Sequence, residues 1–208
     1  MQTGRTVEQG TGEVGVALFR PSSIINAIKI KNDDSKFTKF KLGYLHVNAK
    51  YGITDQAEIG VNLNTYCQIG VEGKYQLVGD KESLFALSVG AAVNTFFFQY
   101  YEYQLPVHMS LHPIGDLAIY FTPKYAGQFV SSLGLSSFAY MHYAGLSTGI
   151  MYGDRTKVGI EYTYMDPLRK VLGQDIFPAL HNFGIGVKFT INGNDNQNYR
   201  SSGRNQRF

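Results

Sequence analysis

Apolar and polar residues alternate along most of this chain with a period of two. Near the C-terminal end, Phe183, Ile185, Val187, Phe189 and Ile191 are interleaved with Gly184, Gly186, Lys188 and Thr190. Val158, Ile160, Tyr162 and Tyr164 alternate with Lys157, Gly159, Glu161 and Thr163, and Ala57, Ile59, Val61 and Leu63 with Glu58, Gly60, Asn62 and Asn64. Ile69, Val71, Tyr75 and Leu77 likewise oppose Gly70, Glu72, Lys74 and Gln76. Such a period predicts strands whose two faces meet different surroundings. The runs predict about ten strands, near 11–20, 41–52, 56–65, 67–78, 83–94, 103–112, 116–126, 139–152, 156–165 and 182–191. Each is close to the ~9–11 residues that cross a bilayer at a tilt.

Four Gly/Asp turns punctuate these runs: Gly52-Ile53-Thr54-Asp55, Gly79-Asp80-Lys81-Glu82, Pro113-Ile114-Gly115-Asp116 and Gly153-Asp154-Arg155-Thr156. Longer, aromatic-rich connections are expected between them. Because the chain reverses at every junction, the tight turns gather at one end and the long loops at the other. The first strand then starts, and the last finishes, at the tight-turn end. Bacterial single-chain outer-membrane barrels have this layout, with tight turns in the periplasm. The predicted fold is all-β, a closed antiparallel up-and-down transmembrane β-barrel of about ten strands, with roughly 8–12 admissible.

Composition decides which face looks outward. Charged residues make up 17% of the 208, below the roughly 25% of soluble domains. No run approaches the ~18 apolar residues of a membrane helix, so a membrane location requires a closed barrel. The polar face is repeatedly glycine, at Gly15, Gly60, Gly70, Gly145, Gly149, Gly159, Gly184 and Gly186. Small residues suit a crowded lumen, whereas a soluble ligand-binding barrel would place dense charge there. Tyr51, Tyr125, Tyr140, Tyr152 and Tyr164 fall near strand ends, where interfacial girdles belong.

The barrel is expected over residues 11–191, with a polar N-terminal lead or tether at 1–10 and a polar disordered tail at 192–208. The net charge of +3 is dispersed, which argues against a nucleic-acid partner. The lone Cys67 excludes an internal disulfide and a cysteine-based metal cluster. Met1-Gln2-Thr3-Gly4-Arg5 is no secretory signal, so the barrel reading requires a leader removed before this numbering begins.

The register places Glu13, His46, Lys50, Glu58, Glu72, Lys74, Lys124, Lys157, Glu161 and Lys188 on the lumen face. Mixed signs predict paired charges that plug the barrel, whereas a selective pore calls for a ring of one sign. His108, Ser110 and His112 share one strand face, but no acid completes a triad there. The remaining histidines lack metal-ligand spacing; no cofactor or metal is expected.

Recognition is expected in the long loops. The basic, partly apolar stretch with Lys29, Lys31 and Lys36 suits lipopolysaccharide phosphates or a partner barrel. The aromatic run 95–103, with Phe97, Tyr101 and Tyr103, suits the headgroup zone or a protein neighbour. The loop 166–181 is apolar enough for a cap on its own barrel.

The final run, Asn182-Phe183-Gly184-Ile185-Gly186-Val187-Lys188-Phe189, resembles the C-terminal signal by which outer-membrane barrels are recognised for insertion. Together with Tyr51-Gly52-Ile53-Thr54-Asp55 and His112-Pro113-Ile114-Gly115-Asp116, it makes residues 10–191 similar to small Gram-negative outer-membrane barrels, particularly of Bacteroidota type. The resemblance departs at the tail, since such barrels usually stop at the signal. It implies a bacterial outer-membrane location, and several barrels of this type resemble lipoproteins, although no cysteine for acylation is present here. The leading expectation is a non-catalytic structural or accessory barrel contacting a ligand or a larger outer-membrane complex. A narrow solute channel, and then a lipid-modifying enzyme resting on the His/Ser pair, are the alternatives.

Overall fold

The structure, a computed structural model, describes residues 1–21, 43–80, 82–96, 100–114, 116–131, 138–168 and 179–192. Ten strands are present: β1 (Thr11–Pro21), β2 (Tyr44–Thr54), β3 (Ala57–Asn64), β4 (Gln68–Val78) and β5 (Phe85–Phe96), then β6 (Tyr100–Ile114), β7 (Leu117–Ser131), β8 (Phe138–Tyr152), β9 (Thr156–Pro167) and β10 (Leu180–Asn192). Each pairs antiparallel with its sequence neighbours, and β1 pairs with β10 from Thr11↔Asn192 to Pro21↔Asn182, closing the barrel. Closure leaves no unpaired sheet edge, as a hydrocarbon surround requires.

The alternation read from the sequence becomes two surfaces of opposite character. Ile69 and Val71 are 58% and 59% exposed, whereas Glu58 and Lys50 are 3% and 6% exposed. Outward aliphatic and aromatic residues recur on every strand, among them Leu18, Ile59, Val93, Leu105, Phe121, Ile150, Ile160 and Ile185. A belt of that extent far exceeds the few hundred Å² of contiguous apolar surface that soluble proteins show. All eight glycines of the polar face point inward.

The tight turns gather at one end. Gly153 closes its turn at φ +125° and Gly79 at φ +91°, backbone conformations that side chains with a Cβ rarely take. In the second turn Asp80 accepts hydrogen bonds from the Ser83 hydroxyl (2.7 Å) and the Ser83 and Glu82 amides (2.8 and 3.0 Å). These donors hold its carboxyl below the usual aspartate value.

The opposite end departs from the expected set of long loops. The β3–β4 connection is a short turn, 65–67, in which the Asn64 side chain accepts the amides of Tyr66 (2.9 Å) and Gln68 (3.2 Å). The aromatic run is mostly strand, since pairing continues through Thr95↔Tyr101 and Phe96↔Tyr100 and leaves only 97–99 between β5 and β6. Strands β6, β7 and β8 each reach 15 residues. Aromatic side chains suit a pleated surface as well as a loop, which is why composition alone shortened these strands.

Candidate functional site

Every charged residue assigned to the lumen from the sequence lies inside the barrel. Near the tight-turn end, Lys50 Nζ is 2.8 Å from Glu58 and 2.9 Å from Glu72, and Lys74 Nζ is 3.0 Å from Glu58. A second cluster spans the β1–β10 seam, where Glu13 meets Lys188 at 2.7 Å and Lys157 at 3.3 Å. Glu161 accepts from Tyr120 at 3.0 Å and from Thr163 at 3.2 Å. His46 and Lys124 line the wider part of the lumen towards the other end.

The inward glycines explain how these groups meet. Lys50, Gly60 and Glu72 occupy one row across β2, β3 and β4. With no side chain on the middle strand, the lysine and glutamate join over it. Tyr120, Gly149 and Glu161 repeat the arrangement across β7, β8 and β9, and a Cβ on Gly149 would strike the Tyr120 ring. Glycine inside a strand marks such a close approach.

Residues 1–10, read from the sequence as a polar lead, enter the lumen from the tight-turn end. Gln9 bridges to Gly52 in parallel, and the chain reverses at Gly10, whose φ is +75°, to begin β1. The segment is bonded along its length to inward side chains. The Gln2 amide donates to Glu72 (2.7 Å), the Gly4 N–H to Ser110 Oγ (2.9 Å), the Thr6 N–H to Gln76 (2.8 Å) and the Val7 N–H to Glu58 (2.7 Å). Lys74 Nζ donates to the carbonyls of Thr3 (3.2 Å) and Arg5 (2.7 Å), and the Met1 amino group lies 3.1 Å from Glu161. The sequence carries little signal for this insertion, because an irregular segment has no period. Gly4 and Gly52 are its one trace, for a Cβ on either would collide with backbone, of Ala86 and of Glu8 respectively.

The segment divides the interior. Below it a cavity of about 410 Å³ is bordered by Arg5, Glu13, His112 and Lys157; above it one of about 580 Å³ extends from Met1 and Gln2 to Tyr66. Ser110 Oγ lies 2.9 Å from His112 Nε2 but is 2% exposed and also bound by the Gly4 amide. His108 instead contacts Thr122 at 3.3 Å. Among the described residues no group of three His, Cys, Asp or Glu side chains is arranged to hold a metal.

Of the loop candidates, Lys29, Lys31, Lys36 and Phe97 lie outside the described residues, as do the tail from 193 and most of the 166–181 loop. Tyr101 and Tyr103 stand on the outer face of β6. Tyr103 packs on Tyr125 with centroids 6.1 Å apart, and Tyr125 is hydrogen-bonded to and stacked on His142. On β9, the Tyr162 hydroxyl lies 2.7 Å from His181 Nδ1, and the His181 ring is 5.0 Å from that of Tyr164. These outward Tyr–His groups form an amphipathic band at the end opposite the tight turns.

Charge and glycine inside, hydrocarbon side chains outside and a closed antiparallel sheet define a membrane-spanning β-barrel of the outer-membrane type. No protein-family model matches the chain, and no curated protein matches it. Among solved structures it is similar to the N-terminal β-barrel domain of Pseudomonas aeruginosa OprF, at 13% identity and TM-score 0.40, covering 89% of this chain and 100% of that one. It is also similar to the NanC porin, at 12% identity and TM-score 0.49, covering 85% and 98%. A de novo designed transmembrane β-barrel matches at 12% identity and TM-score 0.36, covering 89% and 98%. Likeness this distant transfers no activity, ligand or partner.

Proposed function

We propose that this chain is a non-catalytic barrel of the bacterial outer membrane, with both ends of its strand array in the periplasm. In this reading its lumen is shut by its own N-terminal segment, and it acts through its outer rim and loops as a structural or accessory component. The observation that carries the proposal is the bonding of residues 2–7 to the inward faces of three strands, through Glu58 on β3, Glu72, Lys74 and Gln76 on β4 and Ser110 on β6, with Lys74 donating to the segment's carbonyls. A hydrogen-bonded chain crossing the lumen among paired charges supports a shut barrel over an open pore. The capping of Ser110 by Gly4 supports a non-catalytic role, since a nucleophile needs its substrate within reach. The amphipathic Tyr–His band supports residence at a lipid headgroup surface, where lipopolysaccharide or a larger outer-membrane complex is the expected contact.

Planar-bilayer recording tests this directly. The intact chain is expected to be electrically silent, and deletion of residues 1–9 to produce discrete conductance steps. Steady conductance from the intact protein would favour the alternative, a narrow solute channel. Gentle detergent extraction from native membranes, followed by identification of co-purifying components, tests the accessory role.

A further inference from the structure

The upper cavity is walled on one side by side-chain amides. A single register row runs Asn62, Gly70, Asn94, Glu102, Gln128 across β3 to β7, and Gln104 is the next inward residue on β6. Gly70 leaves the row open at its middle, where a Cβ would strike the Asn62 and Asn94 amides leaning over it. Glu102 gathers the amide N–H groups of its neighbours, accepting from Asn94 at 3.3 Å, from Gln128 at 2.8 Å and from Gln104. Each of these amides thus turns its nitrogen to the carboxylate, and its oxygen accepts no hydrogen bond among the described residues. An amide oxygen has two acceptor positions. On the facing strands the supply is of donors. The Asn62 side chain makes no hydrogen bond among the described residues, and Gln68 accepts from Asn64 at 2.7 Å while its own nitrogen donates to none of them.

The β1–β2 side of the same cavity is aromatic. Phe19 and Tyr44 stack with centroids 5.4 Å apart, and Tyr66, in the β3–β4 turn, lies 5.6 Å from Tyr44. Charge on the wall is balanced locally. Glu72 meets Lys50 at 2.9 Å, Glu161 meets the Met1 amino group at 3.1 Å, and Lys124 lies in the field of Glu161 and Glu102. With no single sign in excess, the wall suits an uncharged ligand. Its unmet amides disfavour an alkyl chain, which would cover them without bonding to them.

We infer that the upper cavity binds a neutral saccharide, with its hydroxyls on the amide row and a C–H face of its ring against the Phe19, Tyr44 and Tyr66 wall. A hydroxyl both donates and accepts, so it can serve the oxygens of Asn94, Gln104 and Gln128 and the nitrogens of Asn62 and Gln68. The electron-rich face of an aromatic ring attracts the weakly positive C–H groups of a pyranose. The cavity volume of about 580 Å³ is within the range of small-ligand pockets. The site lies inside the strand wall, apart from the outward Tyr–His band.

Calorimetric titration of the full chain with maltose, cellobiose, lactose and diacetylchitobiose provides the test, in micelles of a detergent that has no sugar headgroup. Saturable one-site binding of at least one of these is expected. Asn62→Leu and Tyr66→Leu are each expected to weaken it about five-fold, the worth of one hydrogen bond or one ring contact. Lys157→Met is expected to leave it unchanged. Asn62→Leu removes no bond that the fold uses, so its loss of affinity reports the ligand. Saturation transfer from irradiated aromatic protons is expected to reach the C–H protons of the bound sugar, and this decides the ring contact if Tyr66→Leu does not fold. Failure of all four sugars to bind, binding indifferent to Asn62→Leu, or tighter binding of glucuronic acid than of every neutral sugar overturns the inference. Steady conductance from the intact chain would overturn the shut lumen and leave this binding in place, so the two readings fail separately.

Discussion

Glu58 joins the two lysines nearest the centre of the charge network, at 2.8 Å and 3.0 Å, and also accepts the Val7 amide. Removing one partner of a buried ion pair leaves the other charge uncompensated, which typically costs about 3–5 kcal/mol. Glu58→Ala is therefore expected to destabilise the barrel by about that amount, read by urea unfolding in detergent. Lys157 offers the contrast: its side chain is 34% exposed and 3.3 Å from Glu13, so Lys157→Ala is expected to cost under about 1 kcal/mol. The parity of alternation was enough to place such residues inside, because one misplaced residue would have turned an entire row outward. What parity leaves unspecified is which lysine meets which glutamate, for that depends on pairing across three strands. The insertion of residues 1–9 was illegible for a different reason: many of its bonds, from the Gly4, Thr6 and Val7 N–H groups and to the Thr3 and Arg5 carbonyls, use backbone groups that every residue carries.

Strands are where hydrophobic periodicity speaks most clearly, and β4 and β9 begin and end within two residues of expectation. The larger differences fall at the rim, where β6 and β7 gain length from Tyr100 and up to Ser131, since rim positions need not alternate. Two substitutions separate the faces of an element. Ile185 lies mid-strand on β10 between Leu18 and Ile160, facing outward. Ile185→Lys is expected to destabilise by about 2–4 kcal/mol, the cost of a cation near the bilayer midplane, as measured by reversible unfolding in lipid vesicles. On the inner face, Gly60 lies between Lys50 and Glu72, and a Cβ there would stand 3.0 Å from Glu72 Oε1. Gly60→Val is expected to cost about 1–3 kcal/mol by overpacking. The same unfolding titration reads it, and a Lys50→Met background should reduce the loss.

For the molecule as a whole, the governing property is its inverted polarity. Tryptophan is absent from the sequence, so single introduced indoles report position without background. Val71→Trp, on the outer wall, is expected to be quenched by brominated lipid acyl chains and shielded from aqueous acrylamide. Gln104→Trp, in the upper cavity, is expected to show the reverse. Equal lipid quenching at both sites would contradict a closed barrel spanning the bilayer.

The reversal at Gly10 has a practical corollary for anyone who labels this protein. Met1 sits inside the wall of strands, with its amino group against Glu161, so a fluorophore or affinity tag joined there must be accommodated among Tyr120, Thr163 and their neighbours or drag the first nine residues out. A label at Ile191, exposed near the end of β10, carries no such demand. Attachment point thus selects between a corked and an uncorked vessel.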